Sequence, residues 1–255
     1  MRMGKICFLL DPDKPEVSKV FRAYVMLQSK LDKKFAKECL EYWVGGTKAT
    51  GDDVRLWLKK LQEKNIGPRI IFPGKISQGV LGYKYADLAL VPYLLNWTDS
   101  KVFLHNMTGI LISIFYKRKK KFGYLVLSKN STVGSKIGAR NLTYFDVLEI
   151  VRMFLRKFVD ATLYLEGGSG VGKPISVKLV KAVSKLVSKN PSNALIVGGG
   201  LKTANDVRRM FSAGADKVVI GTIIEQSTEK KSLDMMLKIL RPFEAMWKRG
   251  KLNVL

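Results

Sequence analysis

Residues 194–222, ALIVGGGLKTANDVRRMFSAGADKVVIGT, contain one complete strand-helix-strand unit. The runs 194–197 and 217–220 are short and rich in aliphatic residues, which is typical of buried strands. Between them, Thr203 followed three residues later by Asp206 approximates a capping box at the start of a helix. Strands joined by a helix run parallel, so this segment predicts a parallel sheet covered by helices.

The same alternation continues along the rest of the chain. The predicted strands are 5–10, 41–44, 69–72, 88–91, 123–127, 162–165, 194–197 and 217–220. Eight parallel strands in 255 residues are typical of a (β/α)₈ TIM barrel, whereas a doubly wound sheet usually has fewer. We therefore expect a single barrel domain over residues 1–255. The connection 73–87 has a proline, three glycines and no helical periodicity, so we expect the helix after the third strand to be missing.

The chain is strongly basic. It has 45 Lys and Arg against 21 Asp and Glu, a net charge of +24, and 47% hydrophobic residues. That hydrophobic fraction is enough for a core, so the charge belongs on a folded surface that attracts nucleic acid, anionic membranes or phosphorylated substrates. The basic run 117–121 is interpreted first as a solvated loop or helix end, with a phosphate or membrane contact as the alternative. No nucleic-acid-binding motif is present, so that function rests on charge alone.

The apolar runs and the cysteines indicate the cellular compartment of the protein. The longest apolar stretches, such as 110–116, are much shorter than the roughly 20 residues of a membrane-spanning helix. The apolar run after the basic N-terminus is too short for the core of a signal peptide, so we expect a cytoplasmic protein. Cys7 and Cys39 fit no metal-binding spacing, and we expect both to be buried, reduced thiols.

Glycine-rich segments follow the last three predicted strands, at 166–170, 198–200 and 221–222. Barrels carry their chemistry at the carboxyl ends of the strands and often bind phosphate after strands seven and eight. Glycine N–H groups beside a helix N-terminus favour a phosphate dianion, so the last two segments predict a phosphate site. Tight turns are the alternative explanation for these glycines. Residues 167–173 imitate a nucleotide-triphosphate loop, but Pro174 stands where Ser or Thr would ligate Mg²⁺.

Acidic and hydroxyl residues end other strands at the same predicted mouth. Asp11 and Asp13 follow the first strand, and Mg²⁺ is held by one or two carboxylates together with substrate phosphates. A simple turn is the alternative for these two residues. Thr47 offers a hydroxyl after the second strand, and Glu166 at the end of the sixth is the best-placed general base. We expect His105, in an apolar stretch, to be a packing or surface residue.

A series of short motifs resembles the geranylgeranylglyceryl phosphate synthase family, which includes the bacterial enzymes that make heptaprenylglyceryl phosphate. The motifs are Leu10-Asp-Pro-Asp-Lys14, Val44-Gly-Gly-Thr47, Phe72-Pro-Gly74 with Ser77-Gln78, Leu94-Leu-Asn96, Thr132-Val-Gly134 with Ala139-Arg140, Tyr164-Leu-Glu-Gly-Gly-Ser-Gly170, Ile196-Val-Gly-Gly-Gly200 and Ala213-Gly-Ala-Asp216 running into Gly221-Thr222. They occur in the family's order and span residues 5–225.

The resemblance implies a modified barrel without the third helix and a prenyltransferase of archaeal-type ether-lipid and phospholipid biosynthesis. In that reaction the hydroxyl of sn-glycerol 1-phosphate displaces diphosphate from a long prenyl diphosphate, here expected to be geranylgeranyl diphosphate. By the resemblance, Asp11 and Thr47 contact the cofactor Mg²⁺. The residues implied to hold glycerol phosphate are Tyr164, Leu165, Glu166, Gly167, Gly168, Ser169, Gly170, Gly199, Gly200, Gly221 and Thr222. Glu166 and Tyr164 are the expected catalytic residues, with Glu166 taking the hydroxyl proton.

Two features depart from the family's pattern. The segment 128–142 lacks the expected proline and is more basic, and Gly168 replaces the usual alanine.

The net charge exceeds what two phosphorylated substrates need, so we expect peripheral contact with an anionic membrane. We also expect a homodimer or a higher homo-oligomer. The alternatives are a phosphosugar isomerase or cyclase on the same barrel and a basic nucleic-acid-binding protein, although nucleic acid is not the expected partner.

Overall fold

Eight parallel strands form a closed barrel in the computed structural model, which describes residues 2–97, 117–158, 160–168, 173–250 and 253–254. The barrel strands are β1 Lys5–Leu10, β2 Leu40–Val44, β3 Arg69–Ile71, β4 Leu88–Leu94, β5 Lys119–Val126, β6 Thr162–Glu166, β7 Ala194–Gly198 and β8 Lys217–Ile220. Each strand pairs with its sequence neighbour, and β8 closes on β1 from Lys5 opposite Lys217 to Phe8 opposite Ile220. The predicted (β/α)₈ barrel is therefore confirmed.

Helices connect most of the strands. The described helices are α1 Val17–Gln28, α2 Lys33–Cys39, α3 Gly51–Glu63, α4 Ile76–Gly82, α5 Thr132–Lys136, α6 Tyr144–Lys157, α7 Val177–Val187, α8 Ala204–Ser212 and α9 Glu229–Lys248. Thr203 and Asp206 form the predicted capping box at the start of α8. In the described ranges, no helix is long and apolar enough to cross a membrane. Cys7 and Cys39 are buried free thiols, as expected.

The connection after β3 requires a correction. Residues 73–87 were expected to lack a helix, but α4 and the 3₁₀ turn Tyr83–Tyr85 lie there. The fully buried Gln78 holds this segment in place: its amide donates to the carbonyl oxygens of Gly46 at 2.9 Å and Ala49 at 2.7 Å. These contacts with the loop after β2 stabilise a short helix in a stretch that has weak helix propensity because of its glycines.

The basic run 117–121 also differs from its first interpretation. Lys119, Lys120 and Lys121 begin β5 and pair with residues 89–91 of β4 instead of lying in a loop. Lys119 and Lys121 are nevertheless exposed, so the run remains a solvated surface. Strand pairing decides this backbone conformation, which the charge pattern does not reveal.

Aromatic side chains fill the barrel interior below its carboxyl-terminal mouth. Neighbouring rings among Trp43, Phe72, Phe122, Tyr124 and Tyr164 have centroids 5.1–6.2 Å apart. Trp43 and Phe122 are essentially inaccessible to solvent. This layer forms an apolar floor, so any ligand that enters the mouth stops above these rings.

A buried ion pair closes the opposite end of the barrel. The Glu41 carboxylate oxygens lie 2.7 and 2.9 Å from Lys217 Nζ, and the nearer also lies 3.6 Å from Lys5 Nζ. Trp43 Nε1 donates to the same carboxylate at 3.1 Å. Burial by itself raises the pKa of Glu41, but the charge and hydrogen bonds of Lys217 outweigh it and hold the pKa below the ordinary value. The ionised carboxylate therefore stabilises the folded state at neutral pH.

We expect Lys217→Met to lower the free energy of unfolding at pH 7 by about 2 kcal/mol, because a buried carboxylate loses its charged hydrogen-bond partner. The difference from the unchanged protein should shrink as the pH falls through the pKa of Glu41, where the carboxylate is protonated. Urea denaturation at pH 7 and pH 4 measures both effects, with the Glu41→Gln/Lys217→Met double variant as the control that removes both charges. Equal stability of Lys217→Met and the unchanged protein at pH 7 would show that the pair contributes nothing.

Candidate active site

A cavity of about 430 Å³ opens at the carboxyl ends of the strands. Its polar wall comes from the loops after β1, β2, β5 and β8 and from the end of β6. A second cavity of about 270 Å³ adjoins it and extends below the loops after β7 and β8. Tyr164, Glu166, Gly221 and Thr222 line both cavities. The structure thus brings together the predicted site residues of β6 and β8 at one mouth.

Glu166 is the central titratable group of this site. Its side chain is buried, at 5% exposure, although it borders both cavities. Tyr164 donates its hydroxyl to Oε2 at 2.7 Å, and the backbone N–H of Gly168 donates to Oε1 at 2.7 Å. Burial raises the pKa of Glu166, and the two hydrogen bonds only partly oppose it. A carboxylate with a raised pKa that is held in one orientation is suited to accept a proton.

Glycines after β7 form a narrow cradle against Glu166. Gly199 and Gly200 have φ angles of +86° and +71°, a conformation that L side chains rarely adopt. A Cβ atom on Gly199 would lie 2.5 Å from Glu166 Oε1, and one on Gly198 would lie 2.3 Å from the Tyr164 hydroxyl. The backbone of Gly198 and Gly199 therefore lies too close to Tyr164 and Glu166 to carry a side chain. Helix α8 begins shortly after this turn. This arrangement suits a small anion beside the carboxylate.

Asp11 occupies the β1 side of the larger cavity. Its Oδ1 accepts the backbone N–H of Asp13 at 3.0 Å. Burial raises the pKa of Asp11 to about 6, partly opposed by that hydrogen bond, while the charge of Asp13 raises it further. A Cβ atom on Gly46 would lie 2.2 Å from Asp11 Oδ1, so only glycine lets the loop after β2 pack here. Thr47, the next residue, lines the same cavity.

The side chains near Asp11 offer oxygen ligands for a divalent cation. Among the described residues, no group of three or more His, Cys, Asp or Glu side chains is arranged to hold a metal ion. Mg²⁺ keeps several waters and needs only one or two carboxylates with substrate phosphates. Asp11 and Asp13 pack against Gly46. A bound cation would favour the ionised form of Asp11 and so offset the two effects that raise its pKa, desolvation and the charge of Asp13. These residues therefore fit a magnesium ion held mainly by water and phosphate oxygens.

The remaining predicted residues are placed less directly. Leu165 packs in the core outside the cavities, so only its backbone can serve the site. Gly167 donates its N–H to the Gly198 carbonyl at 2.8 Å, which ties the loop after β6 to β7. Ser169, Gly170 and His105 lie outside the described residues.

Two charged residues that line the larger cavity were not predicted from the sequence. Lys136 of α5 and Glu225, which follows the turn Thr222–Ile224, both line the larger cavity. Glu225 lies 4.0 Å from Lys14 Nζ, and burial raises its pKa. The only available signal was the basic character of 128–142, which does not single out one lysine.

Comparison with known proteins supplies relatives for this fold and site. The sequence pattern of the PcrB family matches residues 3–240. The geranylgeranylglyceryl phosphate synthase of Methanosphaera stadtmanae is 34% identical over 197 residues, which cover 73% of this chain and 75% of that protein. Its counterpart in Methanosarcina barkeri is 33% identical over 187 residues, 71% of this chain and 73% of that protein.

A solved structure shares the same architecture. The crystal structure of (S)-3-O-geranylgeranylglyceryl phosphate synthase from Thermoplasma acidophilum, in complex with its substrate sn-glycerol-1-phosphate, superposes with a TM-score of 0.76. The match covers 95% of this chain and 94% of that one, at 23% sequence identity. At this identity the likeness establishes the barrel fold.

Proposed function

The chain belongs to the PcrB family, and from this premise we propose that it is a prenyltransferase that joins sn-glycerol 1-phosphate to a long-chain prenyl diphosphate. The product carries the first ether bond of an ether-linked lipid. Relatives named geranylgeranylglyceryl phosphate synthase support this reaction and make geranylgeranyl diphosphate the proposed donor. Neither a phosphosugar isomerase nor a nucleic-acid-binding protein is favoured by these relatives. The observation that carries the proposal is the buried carboxyl of Glu166, which borders both cavities.

In the proposed reaction the glycerol hydroxyl oxygen bonds to the first carbon of the prenyl chain. The bond from that carbon to the diphosphate oxygen breaks, and its electron pair leaves with the diphosphate. Glu166 takes the hydroxyl proton, because its raised pKa and fixed orientation suit a general base. Tyr164 donates to the same carboxylate at 2.7 Å, so we assign it the role of positioning Glu166.

Glycerol phosphate is proposed to bind beside Glu166. Backbone N–H groups at Gly199, Gly200 and the Gly221-Thr222 turn are the proposed contacts, supported by the positive φ angles and by the start of α8. The backbone of Gly167 and Gly168 completes this side of the site. The binding roles of Leu165, Ser169 and Gly170 stay predictions.

Mg²⁺ is proposed to be held by Asp11 and Thr47. When bound, it would offset the negative charge that develops on the departing diphosphate. Asp11 supplies the carboxylate, and Gly46 allows the loop that carries Thr47 to approach it. The apolar wall of the cavity, which includes Leu94, Phe122 and Ile137, suits the first part of a prenyl chain.

We expect product from sn-glycerol 1-phosphate and geranylgeranyl diphosphate only with Mg²⁺, and we expect Glu166→Gln to lower kcat by about 10²-fold or more. Glutamine can accept the N–H of Gly168 with its oxygen and donate its amide to the Tyr164 hydroxyl oxygen, but it cannot take the proton. Because the substitution also removes a buried charge whose pKa is raised, its thermal midpoint at pH 7 should not fall. The amount of product is measured as the radiolabel transferred from glycerol phosphate to lipid.

Glu63→Gln is the matched control, since this glutamate is exposed at the end of α3 and pairs with Lys59 on the same helix. Full activity of Glu166→Gln would refute its role as the base. Absence of product with farnesyl, geranylgeranyl and longer diphosphates would refute the proposed reaction.

The outer face of α6 is proposed as the contact between two copies of the chain. Phe145 and Met153 are 78% and 63% exposed, the highest values among the described large hydrophobic residues. They are eight residues apart, so they lie on neighbouring sides of the helix about two turns apart. Glu149 and Arg152 lie between them, and such a mixture of opposite charges can pair across a twofold axis.

We expect the protein to have the mass of a dimer or a larger homo-oligomer, and Phe145→Glu to shift it toward the monomer by placing a charge in the interface. Light scattering coupled to size exclusion measures the mass. Leu56→Glu is the control, because Leu56 is 46% exposed on a different helix, α3. A monomeric unchanged protein would contradict the proposal.

Peripheral contact with an anionic membrane is proposed at α4. Val80, Leu81 and Tyr83 are about two-fifths exposed there, and Lys75 and Lys84 are exposed on the same short segment. Apolar side chains flanked by lysines are suited to the surface of a bilayer that carries negative charge. This segment leads directly from the cavity residues Pro73 and Gly74, so it would bring a membrane-borne donor close to the site. A cytoplasmic location stays a prediction.

Sedimentation with vesicles should show binding to phosphatidylglycerol that exceeds binding to phosphatidylcholine and falls with added salt. Lys84→Glu should weaken that binding several-fold, because each basic residue near the surface contributes about 1 kcal/mol. Lys189→Glu, at an exposed lysine remote in sequence from α4, is the control. Equal binding to both lipids would refute the membrane contact.

A further inference from the structure

Three lysines lie at one edge of the larger cavity: Lys136 at the end of α5 lines it, and Lys48 and Lys75 directly follow the lining residues Thr47 and Gly74. Lys136 Nζ donates to the carbonyl oxygen of Thr47 at 2.6 Å, and Lys75 Nζ donates to the carbonyl oxygen of Lys48 at 2.9 Å. Both ammonium groups are therefore fixed to the same two-residue segment, and the third lysine belongs to that segment. We call Lys48, Lys75 and Lys136 the lysine cluster.

The lysine cluster has an excess of positive charge. In the part of the chain that the structure describes, no ion pair joins any of its three ammonium groups to a carboxylate. Asp13 is the acidic group whose field reaches Lys136, and its carboxylate accepts the backbone N–H of Lys48. The three ammonium groups carry the same charge and belong to one small region, so they repel one another. An anion bound here would relieve this repulsion.

The position of the cluster separates it from the glycine cradle. Lys136 and Thr47 line the larger cavity, whereas Gly199 and Gly200 line the smaller one. Glu166 borders both cavities. The site therefore has two places for an anion, with a proton acceptor accessible to each.

Helix α5 offers charge and apolar surface together. Val133, Lys136 and Ile137 come from α5 and its C-terminal end, and all three line the larger cavity. A ligand that matches this surface would have an anionic head next to a hydrocarbon chain. The proposed prenyl donor has that composition.

We propose that the lysine cluster binds the diphosphate of the prenyl donor and stabilises it as it leaves. This inference rests on the proposed function, because the glycine cradle is assigned there to glycerol phosphate. The diphosphate gains negative charge as its bond to the prenyl carbon breaks, and ammonium groups already held in place stabilise that charge. Charge-assisted hydrogen bonds to phosphate oxygens are among the stronger polar contacts in proteins.

The test compares Lys75→Met, Lys136→Met and the double variant with the unchanged protein. Each single variant should raise the KM for geranylgeranyl diphosphate about tenfold, and the double variant should raise it more, because each lost contact is a charged hydrogen bond. The KM for sn-glycerol 1-phosphate should change less than twofold. Lys136→Arg should restore most of the affinity, since arginine keeps the charge.

Lys129→Met is the matched control, because Lys129 is an exposed lysine in the same connection between β5 and α6. It should leave both KM values unchanged. If Lys75→Met and Lys136→Met both change the KM for the donor less than twofold, or change both KM values equally, the inference is wrong. Thermal midpoints of all variants show whether a substitution has instead unfolded the loops.

Binding of inorganic pyrophosphate, measured by calorimetry, tests the cluster independently of catalysis. The unchanged protein should bind pyrophosphate, and the double variant should bind it at least tenfold more weakly. If the unchanged protein forms no prenyl product but shows this difference, the proposed function fails while the anion site stands. If pyrophosphate binds equally to both proteins, the site fails whatever the reaction.

Discussion

The shared direction of the eight strands is the constraint on which the site depends. Because every strand is parallel and the sheet is closed, all carboxyl ends meet at one mouth. Asp11 after β1 and Glu166 at the end of β6 therefore border one cavity, although they are far apart in the chain. Aromatic side chains fill the interior below these two acids, so the described barrel accepts a ligand at its mouth. The opposite end is closed by the Glu41 ion pair, which uses its charges for stability.

Glycine lets the backbone come close enough to make this mouth reactive. At Gly46, Gly198 and Gly199, an added Cβ would collide with a side-chain oxygen of the site. The resulting close packing removes water from Asp11 and Glu166, and this burial is the main reason that their pKa values are raised. Burial opposes the ionisation of these two acids, at the positions proposed for the cation ligand and the proton acceptor. The acids are held in place by hydrogen bonds from Tyr164, Gly168 and Asp13.

We propose different roles for two parts of the basic surface. The net charge of +24 is far larger than one substrate site requires. In the lysine cluster, Lys136 and Lys75 are held beside the site by hydrogen bonds to the carbonyl groups of Thr47 and Lys48. Lys84, just after α4, remains on the surface next to exposed apolar side chains. The proposed donor, with an anionic head and a long hydrocarbon tail, would link the two regions, because its head suits the lysine cluster and its tail partitions into a membrane.

The amino-acid sequence was enough to predict the strands, their order and the polar ends of β1, β2, β6, β7 and β8. Those features follow from local patterns: apolar runs, the capping box at Thr203 and glycines beside strand ends. It did not reveal α4, because Gln78 stabilises that helix through contacts with the loop after β2. Nor did it single out Lys136, whose hydrogen bond to Thr47 spans 89 residues. Composition and spacing describe neighbours in the chain, whereas closure of the barrel decides which distant charges meet and which are buried; only the tertiary structure could therefore place the lysine cluster and raise the pKa of Glu166.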